Sequence, residues 1–519
     1  NTLVLATVDS ITKFKNKFAY YLAIFAMVFG STFGSFNAAN ATDYTLTAND
    51  VWGDGTITGS GTSLTDPQAD DNVDLDGFEL ELSDIQGMAV DIGAITDGGT
   101  GGDIRVIANT TTDYAIIAES AIITGNLSIT QSATNKAAAT LTLNHAVDNV
   151  IGGTLDITNI DTTVDHALLL DVTLGTLEVT GVTTITGAAG DGTGGASSTL
   201  AVDNAATFTA GVVLDDDTGF AIITFNENGD DDIAGTIQGA TDGEGSLIIS
   251  GNTKDIGGII GGSSKSLRLI DVDGDTAEFE AAVSATTIDI DGAAAEFNGA
   301  VTATSIDIAD SQTADFDAAV TATTITLGSS TAGGTASFTG TAAQTVAGSL
   351  VSFGTDKKGT ITSNNAHAGG ATFSGDIGTD SLSIALLTAT QNTKTSGKVY
   401  SEAITLADAH SLTFEDNVEV GGGDIILSGT TANLILGGTS AFTVTGDASD
   451  ALISGGGAGE GKITVTNSSS SGVTLDMVAG SGTNLNLVSL TTSGTGHIKL
   501  TKAGHKINDL IIGSGTVLE

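Results

Sequence analysis

The sequence predicts an all-β protein built as a parallel β-solenoid, a β-helix of coils about 20 residues long, behind an N-terminal signal helix. Three observations carry that expectation. A short phrase recurs, ending in "TAEF" at Phe279, "AAEF" at Phe297, "TADF" at Phe316 and "TASF" at Phe338. Around each copy, apolar and polar residues alternate with period two, the signature of strands with one buried face. The chain also combines abundant Thr, Val and Ile with 70 Gly and a single Pro, so strands and tight turns are favoured and ladder-breaking residues are scarce.

From the N-terminus, residues 1–41 read as a secretory signal peptide. "KFKNKF" (13–18) is basic, "FAYYLAIFAMVFG" (18–30) is apolar, and Ala39-Asn40-Ala41 offers small residues at a cleavage site. The apolar run is short for a membrane span, which needs about 20 residues. A retained N-terminal anchor is the competing reading; with cleavage the mature chain has no membrane span. Removal of 1–41 takes Lys13, Lys15 and Lys17 against Asp9, +2 in all, and moves the net charge from −46 to −48.

Residues 42–110 are expected to form an N-terminal cap and the first coils. They hold Trp52 and Pro67, and a solenoid's first coil exposes an edge that needs cover. Residues 111–519 are expected to be the repeat region. A second phrase recurs through it, as in "NLSI" (126–129), "TLTL" (140–143), "TLDI" (154–157), "TLEV" (176–179), "TIDI" (287–290) and "SLSI" (381–384). In "TIDI", Ile288 and Ile290 face one way and Asp289 the other. Around the Phe phrases the expected inward sets are Phe279, Ala281 and Val283, then Phe297, Gly299 and Val301, then Phe316, Ala318 and Val320. A unit with two short strands cannot bury its apolar face alone, whereas stacked units bury a continuous core. Antiparallel sandwich domains would need longer strands and a repeat on the order of 100 residues. Gly-rich stretches at 98–102, 187–197 and 455–461 read as wide turns.

Charge narrows the partners. With 62 Asp and Glu against 16 Lys and Arg, the surface repels nucleic acid and anionic lipid. The absence of Cys excludes disulfides and thiolate chemistry.

The candidate motifs are weak. "GGAGEGK" (456–462) approaches a phosphate loop, but Ile463 stands where the Mg²⁺-binding hydroxyl belongs, and "KITVTN" reads as strand. "GDGTGG" (190–195) also precedes strand-like sequence. "DVDGD" places Asp271, Asp273 and Asp275 at alternate positions, and "LDDDTG" (214–219) and "NENGDDD" (226–232) are acidic too. Their Gly and Glu positions do not fit an EF-hand, so solvated acidic corners with, at most, loosely bound Ca²⁺ are expected. His145, His166, His367, His410, His497 and His505 lack zinc-site spacing, and no G-x-S-x-G elbow is present. No catalytic, cofactor-binding or metal residue is assigned, and the expectation is a non-enzyme.

In its Thr/Asn/Gly/Asp texture, in "GTLDITN" (153–159), "GTLEVTG" (175–181) and above all "GHKINDLIIGSGTVL" (504–518), the chain resembles the passenger regions of bacterial β-strand-repeat surface antigens, the rickettsial-type autotransporter and surface-layer proteins. The resemblance covers most of 120–518 and implies a secreted β-solenoid on the bacterial outer surface that contacts host or cell-surface ligands or other copies of itself. Autotransporters also carry a translocator barrel with aromatic girdles. Past residue 350 only Phe353, Phe373, Tyr400, Phe414 and Phe442 are aromatic, so no such barrel is expected within the chain. A self-assembling surface-layer or filament protein is the first alternative, and a carbohydrate-active β-helix enzyme the second.

Overall fold

The computed structural model describes residues 44–46, 50–52, 73–83, 90–97, 99, 101–108, 114–131, 137–144, 148–160, 166–188, 197–216, 220–226, 228–328, 332–351, 355–447, 451–480, 486–493 and 496–519. The expected signal segment and Pro67 lie outside these residues. Within them the chain is a parallel β-solenoid with no helix.

A single ladder traces the axis. Asp50 pairs with Leu80, then the register passes through Ile104, Leu127, Leu155, Thr183 and Val212 to Ile237. It continues through Ile260, Val283, Val301, Val320, Val346 and Phe373. Thr395, Phe414, Leu436, Val465 and Thr492 complete it. Every step is parallel. At ~4.8 Å per rung, these rungs make a rod roughly 90 Å long. Coils of 18 and 19 residues hold between Phe279 and Phe316, as the repeat spacing requires. Elsewhere they lengthen, to 28 residues from Leu127 to Leu155, because corners take up insertions that the ladders ignore.

One coil of the Phe region explains the cross-section. Thr276–Phe279 forms one side and ends the strand. Val283–Ile290 forms the other two, bending at exposed Thr286, where the register skips one residue. Inward residues are Ala277 and Phe279, then Val283 and Ala285, then Ile288 and Ile290, all buried. The alternation changes phase at Thr286, and that phase change is the corner.

Ala281, Gly299 and Ala318, expected to face inward with their neighbouring Phe and Val, are instead half-buried corner residues. The strands stop at Phe279, Phe297 and Phe316. At Gly299 an added Cβ would sit 2.2 Å from the Ala281 carbonyl carbon, so the small residue serves close stacking of corners. A similar approach fixes Gly292 at the next corner, where a Cβ would meet the Gly274 carbonyl oxygen at 1.8 Å.

Stacking in register places like over like. The rings of Phe279 and Phe297 lie 4.9 Å apart at 4°, Phe297 and Phe316 5.2 Å at 9°, and Phe316 and Phe338 5.4 Å at 19°. The run ends where Ser363 takes the next position, and Phe373 meets Phe338 edge-on from the adjoining ladder, 5.0 Å away. Stacked rings add about 0.5–1.5 kcal/mol per pair to their burial. Buried amides close the corners: Asn467 donates to the Gly437 and Ser440 carbonyls, and Gln344 to those of Phe316 and Ala318. The Phe316 carbonyl also accepts the Thr339 N–H of the next rung, so the Gln344 amide ties the corner at Ala318 to the ladder.

Phe297→Ala should cost about 3–5 kcal/mol, because it opens a cavity in the middle of the ring stack. Urea unfolding followed by circular dichroism is expected to show the loss as an earlier transition, with the strand signal of the untouched rungs persisting beyond it.

Candidate functional site

The surface carries rows, and the rows follow from the register. Outward side chains sit above their counterparts one rung away, so Asp271 pairs with Asp289 and Asp289 with Asp307, before Thr326 ends the column. On the neighbouring face Glu278, Glu296 and Asp315 form a second column, ended by Ser337. Two carboxylates one rung apart repel by about 1 kcal/mol in water and roughly 3 kcal/mol at the lower effective dielectric of a protein surface.

Burial, then the charges of Asp273, Asp289 and Asp291, push the Asp271 carboxyl up to about 6. Asp289 is raised by burial and by Asp291, Asp307 and Asp273, and Glu296 by burial and by Glu278, Asp317 and Asp315. One amide relieves part of the strain: Asn298 donates to Glu278 Oε1 at 2.8 Å and to Glu280 Oε2 at 3.2 Å.

A second set of acids does the opposite work. At corners, an Asp accepts hydrogen bonds from the rung above. Thr124 donates its backbone N–H and hydroxyl to Asp97, Ser383 does the same to Asp356, and Thr431 to Asp408. Burial alone would raise Asp97 and Asp356, but these bonds outweigh it and hold both carboxyls below their ordinary range. Asp408 is lowered by the Thr431 hydroxyl and N–H. Composition reveals none of this. For Asp97 alone the available signal was local, an Asp two residues before Gly99, whose N–H turns back onto the carboxylate.

The predicted motifs fall as follows. Asp271 is the second-to-last residue of the strand Leu267–Val272, with exposed Asp273 and Asp275 at the corner, and Asp289 and Asp291 stand one rung on. Among the described residues no three His, Asp or Glu side chains form a group that could hold a metal ion. In "LDDDTG", Asp216 is buried. It accepts the Ala221 N–H at 2.6 Å and pairs with Arg268 at 3.3 Å, while the guanidinium lies 4.6 Å over the Phe220 ring. This is an internal brace that the sequence did not reveal. Most of "NENGDDD" falls in the strand Asn228–Ala234.

"GGAGEGK" forms a corner, with Gly459 and Gly461 at positive φ (72° and 74°) and Glu460 accepting the Gly429 N–H. Lys462–Val465 follows as strand, where a phosphate loop needs a helix. "GDGTGG" and His145 lie outside the described residues. His367 accepts the Gly369 N–H, His505 accepts the Ala479 N–H, and His497 sits in a strand paired with Val517. His166 and His410 are half-buried and far along the chain from one another.

Beside the Asp column runs a groove of about 610 Å³, lined by Asp289, Asp291, Asp307, Ser305, Thr323 and Thr324 among others. Exposed hydroxyls continue from it across the rod as rows: Thr302 and Thr304 on one rung, Thr321 and Thr323 on the next. The geometry offers repeated acidic and hydroxyl contacts at one-rung intervals. Compared with known proteins, the chain matches no protein-family model, and no curated protein or solved structure is significantly similar to it.

The two acid sets predict a stability maximum at mildly acidic pH. Asp271 binds a proton more tightly folded than unfolded, so its contribution is lost as pH rises from 3.8 through about 6, and the raised Asp289 and Glu296 act in the same direction. Asp97, Asp356 and Asp408 contribute above the ordinary carboxylate pKa and are lost as pH falls below it. Thermal midpoints measured across this range should therefore fall from mildly acidic pH toward neutrality, and Asp271→Asn should flatten that fall.

Proposed function

We propose that the chain is a secreted structural or adhesive rod of the bacterial outer surface, a display scaffold that performs no chemistry of its own. The observation that carries this reading is the in-register repetition of outward side chains, Thr302 beside Thr321 and Asp271, Asp289 and Asp307 in one column. Repetition of this kind suits a ligand that is itself repetitive, such as a cell-surface glycan or a host matrix protein. Many weak contacts on a stiff rod then add as avidity, which can exceed single-site affinity by about 10²–10⁴. The resemblance to β-strand-repeat surface antigens supports the same role, and the N-terminal signal-like segment supplies the export route.

The charge of −46 directs partners away from nucleic acid and anionic lipid and toward neutral, cationic or cation-bridged surfaces. Ca²⁺, if it contributes, acts by loosely bridging acidic rows. A carbohydrate-active enzyme is the weaker reading, because the groove is lined by acids and hydroxyls rather than by the aromatic side chains on which sugars stack.

Labelled chain applied to an array of surface glycans and matrix proteins should be retained on a subset of them. Replacing Thr302, Thr304, Thr321 and Thr323 together by Lys is expected to lower that retention at least ~10-fold while leaving the circular dichroism unchanged. A chelator arm reports any Ca²⁺ bridging. Retention on nothing, or release of shortened glycan from the array, would contradict the display reading.

A further inference from the structure

The groove beside the Asp column has a repeat of its own. Thr287, Ser305, Thr324 and Ser349 follow one another in register, one hydroxyl per rung, with Leu269 one rung before Thr287. Two residues further along the same strands, Asp289, Asp307 and Thr326 make a second row. Exposed Thr304 and Thr323 stand at the corner on the other side. Residues from all three rows line the groove of about 610 Å³, a volume within the range of about 300–1,000 Å³ that ligand sites occupy. Among the described residues that line it, none is a cation or an aromatic ring.

These groups are acceptors first. A carboxylate only accepts, and a hydroxyl offers one donor against two lone pairs. Ser305 already donates its proton to Asp307 Oδ2 at 2.8 Å, so that pair presents acceptors alone. A ligand must therefore bring O–H or N–H donors. It must also not be an anion, since Asp289, Asp291 and Asp307 crowd the groove in a chain of −46.

The repeat narrows the class further. A ligand lying along the axis keeps its contacts only if it advances by about one strand spacing, ~4.8 Å, per unit. An extended polypeptide returns to the same face every two residues, ~6.6 Å, and is out of step by the second rung. A nucleic-acid strand is anionic and advances ~3.4 Å per unit. A β-1,4-linked pyranose chain is nearly straight and advances by close to one strand spacing per ring. Alternate rings turn over, but both edges carry hydroxyls, so each rung meets a donor.

We infer that the groove holds a β-1,4-linked glycan, uncharged or carrying amino groups, laid along the rod axis with one ring per rung. The inference rests on the display reading and names its ligand class. With no aromatic ring to stack on, each sugar makes an edge contact only, and affinity grows with the number of rings in step. Curved α-linked chains fail on shape, and anionic glycans fail on charge.

Calorimetric titration of the full chain with β-1,4-linked oligomers of glucose and of N-acetylglucosamine, from about one to about six rings, tests it. Maltohexaose, the α-1,4-linked glucose hexamer, is the shape control. Affinity should rise several-fold with each ring up to about four, the number of hydroxyls in the first row, and then level off. Maltohexaose should bind at least about tenfold more weakly than the β-linked hexamers. Ser305→Ala with Thr324→Ala should raise the dissociation constant of the four-ring oligomers about tenfold or more. Thr304→Lys with Thr323→Lys should do the same with circular dichroism unchanged, because both side chains are already exposed. No binding of β-linked oligomers, equal binding of maltohexaose, or variants that bind like the parent would overturn the inference. Retention on matrix proteins of the array without oligomer binding defeats only this inference, and oligomers that bind and are released shortened defeat only the display reading.

Discussion

In-register parallel stacking governs the molecule. Each rung sits one strand spacing from the next, so a residue's closest outer neighbour is its counterpart in the adjacent coil. The constraint is indifferent to chemistry. It lines up Phe279, Phe297, Phe316 and Phe338 as nearly parallel rings, and it equally lines up Asp271, Asp289 and Asp307 as a column of like charges. The first is favourable and the second is not. Magnitudes decide the balance: burying a Phe ring contributes about 1.5–3 kcal/mol before stacking is counted, against roughly 1–3 kcal/mol for one carboxylate contact that a shared proton or a bridging amide reduces. The core therefore tolerates the acid rows, and the rows remain as the chemical face of the rod.

The acids divide by position rather than by type. At corners, where the backbone leaves the ladder, carboxylates take N–H groups that would otherwise lack partners, and ionisation is favoured. On flat faces they meet other carboxylates and ionisation is opposed. Ion pairs add little by comparison. Lys357 with Glu402 and Lys394 with Glu415 are partly exposed pairs, of the class worth about 0–1 kcal/mol each. The excess of acids thus combines local structural fasteners, such as Asp97 and Asp356, with a repulsive surface field, such as the column of Asp271, Asp289 and Asp307.

Much of this was legible in the sequence. The Phe spacing announced the coil, and the alternation in "TIDI" announced which side of each strand is buried. Four things were not legible. "TLDI" lies in the ladder of Leu127 and Leu155, "TLEV" in that of Ile151 and Phe208, and "TLTL" in that of Leu170, so one phrase serves all three sides: a strand signature reports burial but not which ladder. Ala281 was placed inward because "EAA" contains no Gly, Asn or Pro to mark a corner, and alternation appears to run through it. "SLSI" is mostly turn, with Thr379 and Leu382 bridged antiparallel and the strand starting only at Ile384. The acid columns and the Asp216–Arg268 brace depend on which coils become neighbours, which composition does not encode.

The central claim is that outward positions rise along one axis by one strand spacing per coil, however far apart they lie in the chain. The chain has no Cys, so paired nitroxide labels are readily placed. Ser128 and Val213 are three register steps apart, and Ser128 and Thr321 are eight. Pulsed electron spin resonance on Cys-labelled pairs at these sites should give narrow separations near ~14 Å and ~38 Å, growing linearly with the number of rungs. Separations that ignore the rung count, or that cluster at the width of a compact domain, would contradict it.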